Sequence, residues 1–249
     1  MKIPQTIIEK TANAKHIAVL TGAGVSAESG IKTFRDPDGL WAKLNPAELA
    51  SIDGFMANPK MVWEWYQHRR EIIASCRPNP GHYALSELAK IVPKLTLITQ
   101  NVDRLHQQAG SEGVVELHGN IIENHCFRCR APFAEAVDLT LSEPPLCPKC
   151  GGQIRPSVVW FGENLPEGAM EAAEEAAAQC DVFFSIGTSA EVYPAANLPI
   201  FAKRSGAFVV EVNPRRTAIS SYLDATVELA SGEALPLLLD GVKKLKGII

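Results

Sequence analysis

Two pairs of cysteines carry the strongest chemical signal in this sequence. Cys126-x-x-Cys129 and Cys147-x-x-Cys150 are separated by 17 residues. Each pair sets two thiolates about one tight turn apart, and two such knuckles close a tetrahedron around Zn²⁺. Four thiolates leave no open coordination position, so the expected metal is a single structural zinc. Gly151 and Gly152 follow the second knuckle, where tight backbone turns are useful. Cys76 and Cys180 have no partner pattern and read as buried or inert thiols.

A second signal is glycine-rich. Gly22-Ala23-Gly24-Val25-Ser26-Ala27 fits the G-x-G-x-x-G/A dinucleotide fingerprint, in which glycines let the backbone approach a pyrophosphate at a helix N-terminus. The alternative is a plain strand-to-helix turn. No strand ending in Asp or Glu lies about 20 residues on to grip a ribose, as an ordinary dehydrogenase would require. The sequence there reads Thr33-Phe34-Arg35-Asp36 and then Gly39-Leu40-Trp41, a composition that suits a mobile flap over a cofactor. A third signal is Tyr66 and Arg69, three apart in a helix-like stretch and so on one face of it. A phenol beside a guanidinium suits a carboxylate. A core tyrosine next to a solvated arginine is the alternative.

The elements that must hold these groups follow from the pattern. Four short apolar runs, 16–20, 94–99, 181–186 and 207–212, read as buried parallel strands, each ending in a polar turn. Helix-like segments at 82–91, 103–109 and 167–179 alternate with them. The expected fold class is α/β: a Rossmann-type parallel sheet with helices on both faces, whose ligands bind beyond the strands' C-terminal ends. Two Pro-rich segments break the rhythm and read as a smaller lobe, a helical insertion at about 36–80 and a zinc ribbon at about 121–156. The larger lobe then takes about 1–35, 81–120 and 157–249, within one catalytic unit of 249 residues. A net charge of -4 argues against a nucleic-acid binder. No run of 18 apolar residues suggests a membrane span. The polar start does not read as a signal peptide, and a cytoplasmic monomer is the expectation.

The motifs in order complete the reading. GAGVSAESGIKTFRD, TQNVDRLHQQAG, ELHGN, the two CxxC knuckles, VVWFGENLP, GTS and EVNP together resemble the sirtuins, the NAD-dependent protein lysine deacylases, over residues 15 to 240. One departure is Lys32, where many sirtuins have proline after Ser-Gly-Ile. The resemblance implies that His118, in Glu116-Leu117-His118-Gly119-Asn120, is the catalytic base; an imidazole can take a ribose hydroxyl proton near neutral pH. Gln100, Asn101 and Asp103 would hold the nicotinamide and its ribose. Gly22, Ala23 and Gly24, with Ser26, would line the pyrophosphate. Thr33, Phe34 and Arg35, with Trp41, would close over the nicotinamide side. Gly187, Thr188, Ser189 and Asn213 would meet the adenosine ribose and phosphates, and Ser231 the adenine.

NAD is then a co-substrate, and the products are nicotinamide, the free lysine amine and O-acyl-ADP-ribose. The partners implied are acylated lysines of proteins, bound as extended peptide along Val159, Phe161 and Gly162 on one side and residues 189–192 on the other. Tyr-x-x-Arg at 66–69 resembles the subclass that removes succinyl and malonyl groups as well as acetyl. The rival readings are a mono-ADP-ribosyltransferase using the same NAD site, a zinc-containing binding module and an NAD dehydrogenase.

Overall fold

The computed structural model describes residues 2–31, 49–135 and 141–249. Its main sheet has six strands in the order β3-β2-β1-β7-β8-β9. They are β1 (Ile17–Thr21), β2 (Leu95–Thr99), β3 (Val115–Glu116), β7 (Val182–Ile186), β8 (Phe208–Val212) and β9 (Ala225–Val227), and every pairing among them is parallel. The four strands expected from apolar runs are β1, β2, β7 and β8, each found within one residue of its expected start.

Both faces of this sheet are covered. The strand period of two sends Ile17 and Val19 to one side, with Phe184, Val210 and the helices α1 (Gln5–Asn13), α5 (Pro80–Ile91) and α9 (Ser231–Leu245). Ala18 and Leu20 go to the other side, with Phe183, Val209, α7 (Ala169–Gln179) and α8 (Leu198–Arg204). The chain leaves β1 in one direction for β2 and β3 and in the other for β7, β8 and β9. The crevice between β1 and β7 is therefore the switch point where open α/β sheets bind ligands.

A second sheet is antiparallel and has the order β5-β4-β6, formed by β4 (Gly119–Cys126), β5 (Pro132–Phe133) and β6 (Ile154–Val158). Beside it lie α3 (Ile52–Ala57) and α4 (Pro59–Ser75). Asn58 caps α4 by accepting from Met61 N at 3.0 Å, and Pro59 opens the helix where its missing N–H costs nothing. α4 buries Val62, Trp65, Tyr66 and Ile73 against Phe55, Ile121 and Trp160. Among the described residues the other short α-helices are α2 (Ala23–Ala27) and α6 (Leu105–Gln108).

Candidate active site

A cavity of about 1400 Å³ opens at the C-terminal ends of β1, β2, β7 and β8 and runs beneath α4 and the segment after β6. That exceeds the usual range for a small-ligand pocket, roughly 300–1,000 Å³. Among its lining residues are Gly22, Ala23, Gly24, Ser26, Tyr66, Arg69, Gln100, Asn101, Asp103, His118, Val159, Phe161, Gly162, Gly187, Thr188, Ser189 and Asn213. Residues far apart in sequence thus meet in one space. Thr33, Phe34, Arg35 and Trp41, together with Lys32, lie outside the described residues. Ser231 is buried at the start of α9, where its hydroxyl donates to Glu28 at 3.3 Å, and it is not among the lining residues.

The glycines of the first turn are required by a close backbone approach. A Cβ at Gly22 would sit 2.8 Å from the Gly187 carbonyl oxygen, and one at Gly24 would sit 2.7 Å from it. Gly187 has φ +60°, and a Cβ there would lie 2.5 Å from Val25 N. Two loops therefore touch backbone to backbone, joined by Gly24 N–H donating to Gly187 O at 2.8 Å. The helix that follows, α2, has five residues, and the Gly22 and Gly24 N–H groups already donate to Ile186 O at 3.0 Å and Gly187 O at 2.8 Å, so what the turn offers an anion is close backbone approach more than a row of free donors.

Behind the turn lies a polar network. The Ser26 hydroxyl donates to Asp103 Oδ2 at 2.8 Å and accepts from Asn101 Nδ2 at 3.1 Å. Asn101 Nδ2 also donates to Gly22 O at 3.0 Å. Asp103 accepts from Leu105 N at 2.9 Å as well, yet burial raises its carboxyl above the usual carboxylate range. Gln100 Nε2 donates to Thr188 Oγ1 at 3.1 Å, tying the end of β2 to the end of β7.

His118 is oriented by one bond. Its Nδ1 lies 3.0 Å from the Gln100 carbonyl oxygen. A carbonyl oxygen can only accept, so Nδ1 carries the proton and Nε2 keeps its lone pair. Burial holds the imidazole below its ordinary pKa, and the Gln100 bond opposes that shift. A neutral ring with a free lone pair at neutral pH is what a general base requires.

α4 presents Tyr66 and Arg69 to the cavity. The Tyr66 hydroxyl accepts from Trp160 Nε1 at 2.8 Å, and burial pushes its pKa up to about 12, so it stays a protonated donor. The Arg69 guanidinium lies 5.0 Å from the centre of the Trp65 ring. Arg70, next in sequence, points elsewhere. It donates to Ile121 O at 2.7 Å, Gln67 Oε1 at 2.7 Å and Asn124 Oδ1 at 2.6 Å, bracing α4 on β4. The residues after β6 are not a strand. Val159 N donates to His118 O at 2.9 Å, Phe161 N to Ala50 O at 2.8 Å, and Gly162 turns with φ +85°.

The four cysteines of the knuckles converge at the far end of the second sheet, their Sγ atoms all within 4.8 Å of one another. Cys126 Sγ to Cys150 Sγ is 3.5 Å, and Cys129 Sγ to Cys147 Sγ is 3.8 Å. A tetrahedral Zn²⁺ with bonds of about 2.3 Å spaces its sulfurs by roughly 3.8 Å, so the donor set fits a structural zinc. Gly152 is needed here, since a Cβ would lie 3.1 Å from Cys126 Sγ.

The sequence reading passed over the Arg155–Glu163 pair. Arg155 is fully buried and donates to both oxygens of Glu163, at 2.6 and 3.0 Å. Glu163 stands in the VVWFGENLP stretch, but nothing in the sequence pairs it with Arg155, and only the structure shows that β6 and the loop after it bring them together.

Comparison with known proteins places this geometry. The Sir2 family model matches residues 22–194. The chain belongs to the Sir2 family. It is 47% identical to an NAD-dependent protein deacylase of Methylococcus capsulatus, over 98% of this chain and 99% of that one. It is 48% identical to NAD-dependent protein deacylase 2 of Pyrobaculum aerophilum, over 96% and 95%. Among solved structures, a Sir2 homologue in complex with NAD superposes with a TM-score of 0.90 at 40% identity, covering 98% of this chain and 95% of that one. A Sir2 protein bound to a myristoylated histone peptide gives 0.82 at 38% identity, with 98% of each chain covered.

Proposed function

We propose that this Sir2 chain is an NAD-dependent protein-lysine deacylase whose cavity holds NAD and an acylated lysine together. The observation that carries the reading is His118, whose Nδ1–H is committed to the Gln100 carbonyl while the ring lines the cavity beside Asn101 and Asp103. Bound NAD would supply an electrophilic ribose carbon and, in nicotinamide, a leaving group.

The chain's own residues do the rest. Gly22, Ala23 and Gly24 line the pyrophosphate, where the missing side chains of the two glycines let the backbone come close. Thr188, Ser189 and Asn213 take the adenosine side. Asn101 and Asp103, held rigid by Ser26, orient the nicotinamide carboxamide. His118 Nε2 accepts the proton of a ribose hydroxyl once nicotinamide has gone. Val159, Phe161 and Gly162 lie along an extended peptide whose acyl-lysine reaches inward, and the tetrathiolate knuckles hold one zinc that takes no part in the chemistry. This assigns the larger lobe to NAD, the smaller to zinc and acyl recognition, and the cleft between them to the peptide. None of the six cysteines is in a disulfide, which suits a reducing, cytoplasmic setting.

Acyl preference is the finer part of the proposal. Tyr66 and Arg69 offer a protonated phenol and a guanidinium on one helix face, a pair matched to a terminal carboxylate such as that of succinyl- or malonyl-lysine. The test is mass spectrometry of one peptide in acetyl, succinyl and malonyl forms, each incubated with NAD, with nicotinamide measured alongside. Deacylation coupled to nicotinamide release is expected, fastest on the acidic acyl groups. Nicotinamide release with ADP-ribose left on protein would replace the deacylase reading by ADP-ribosyl transfer. Equal rates on all three peptides would remove the acidic preference alone.

A further inference from the structure

Trp160 is 1% exposed and sits where three separate restraints meet. Its backbone N–H donates to Glu163 Oε2 at 2.8 Å. The Arg155 guanidinium, held by Glu163 and by the Val158 carbonyl at 2.5 Å, lies 3.1 Å from the centre of the indole ring. Phe55 packs with its ring centre 5.2 Å away and Phe127 at 6.4 Å. The indole is thereby fixed with its one polar atom aimed at the Tyr66 oxygen, 2.8 Å away.

The direction of that bond matters. An indole N–H has no lone pair to offer and can only donate. The phenol oxygen must therefore accept, which leaves the Tyr66 O–H to donate somewhere else. Tyr66 and Trp160 both line the cavity, as does Arg69 one helical turn along. We propose that Trp160 is a positioning residue for acyl specificity: its indole N–H orients the Tyr66 hydroxyl so that the phenol proton and the Arg69 guanidinium meet the same acyl carboxylate. Without the indole, the phenol can rotate its proton away, and its oxygen loses the donor that polarises the O–H. The buried Arg155–Glu163 pair would then serve the site by keeping the indole from turning. This inference rests on the acidic-acyl reading above.

A double-mutant cycle tests it, read as the ratio of kcat/KM for a succinyl-lysine peptide to that for its acetyl counterpart. Tyr66→Phe should lower the ratio about fivefold, the worth of one hydroxyl donor, and Trp160→Phe by a similar factor. In the double variant the ratio should fall no further than in either single variant, within about twofold, because Trp160 acts only through the hydroxyl. An unchanged ratio in Tyr66→Phe would overturn the acidic-acyl reading at Tyr66. A ratio lowered by Tyr66→Phe but untouched by Trp160→Phe, or losses that multiply in the double variant, would overturn the positioning role and leave the acyl reading standing. A merely structural Trp160 would depress both substrates equally and leave the ratio where it was. Should Trp160→Phe fail to fold, the indole itself is the probe. The chain has 4 tryptophans, and one indole N–H should exchange slowly in ¹⁵N NMR of the wild type and faster in Tyr66→Phe. Four indole signals indifferent to Tyr66→Phe would defeat the proposal.

Discussion

The six-stranded sheet buries apolar side chains on both faces, Ile17 and Val19 on one side and Ala18 and Leu20 on the other. At its cysteine end the three-stranded sheet has a far thinner interior, a cluster of Trp63, Cys126, Cys147 and Ile154 in which two of the four buried residues are thiols, while at Ile121 the same sheet joins the aromatic cluster under α4. Burying one aliphatic side chain is worth about 1.5–3 kcal/mol, so the large sheet can lose any one of them and survive. Structural zinc contributes on the order of 10 kcal/mol in small tetrathiolate units, more than that cluster can supply without it. The large sheet is thus stabilised by many small terms, and the cysteine end of the small one by one large term at four positions.

The sharpest way to break the comparison is at Cys126. Cys126→Ala, or chelation of the wild type, should unfold the small sheet and loosen α4, while residues of the large sheet keep their hydrogen-exchange protection. Zinc content should fall from one per chain to none. Uniform loss of protection across both sheets would mean that the two regions fold as one unit.

His118→Ala strikes between the regions, since His118 reaches the Gln100 carbonyl at the end of β2 while its own carbonyl accepts from Val159 N. It should cost about 10²- to 10⁴-fold in kcat/KM, the usual scale for a general base, with zinc content and melting temperature near those of the wild type. Near-normal turnover would remove the assignment.

How much of this could be read from residues alone differs between the same two regions. β1, β2, β7 and β8 were legible because strands buried on both faces are short, apolar and bounded by turn residues, as in Val182–Ile186. The zinc knuckles were legible because their ligands are local. α9 was not read as a helix. Gly232, Pro236 and Gly241 lower its intrinsic propensity, and it holds because Leu235, Leu238 and Val242 bury in the core. At Gly241 a Cβ would lie 2.6 Å from the terminal Cδ1 of Ile8, which would have to shift, so the glycine that obscures the pattern sits where α9 packs closely on α1. The site residues could be listed from motifs, but their partners could not. Nothing in the sequence announces that Gly187 fills the space beside Gly22 and Gly24, or that Trp160 reaches Tyr66.

Acid should probe the large sheet through two buried imidazoles. His82 and His106 have ring centres 4.7 Å apart, and burial lowers their pKa values to about 4 and about 3. Unfolded histidine titrates near 6.5. Between pH 6.5 and 4 the unfolded chain therefore binds more protons than the folded one, and stability must fall as pH drops through that window. A loss on the order of 3 kcal/mol is expected between pH 7.5 and 5.0 by chemical denaturation. Imidazole NMR should show these two rings still neutral at pH 5. Two rings that titrate near 6.5 in the folded protein would remove the effect.

The finest distinction lies within α4, where Arg69 and Arg70 are adjacent and do different work. Arg69 lines the cavity and Arg70 does not. If Arg69 meets an acyl carboxylate, Arg69→Met should raise KM for succinyl-lysine and lower kcat/KM about 10- to 150-fold, the worth of a charge-assisted bond in a partly buried pocket. Acetyl-lysine lacks the carboxylate and should lose little. Arg70 is a control of a particular kind. It donates to Ile121 O, Gln67 Oε1 and Asn124 Oδ1, so Arg70→Met strands three buried acceptors and should cost about 2–4 kcal/mol of stability. Its kinetic cost should fall equally on acetyl and succinyl peptides, because it works through the seating of α4 on β4. The comparison is therefore made at a temperature where Arg70→Met remains folded. Equal losses on both peptides in Arg69→Met would assign Arg69 to the same bracing role. A succinyl-specific loss in Arg70→Met would show that the carboxylate reaches the far side of the helix, toward the two guanidinium N–H groups that the three bonds of Arg70 leave over.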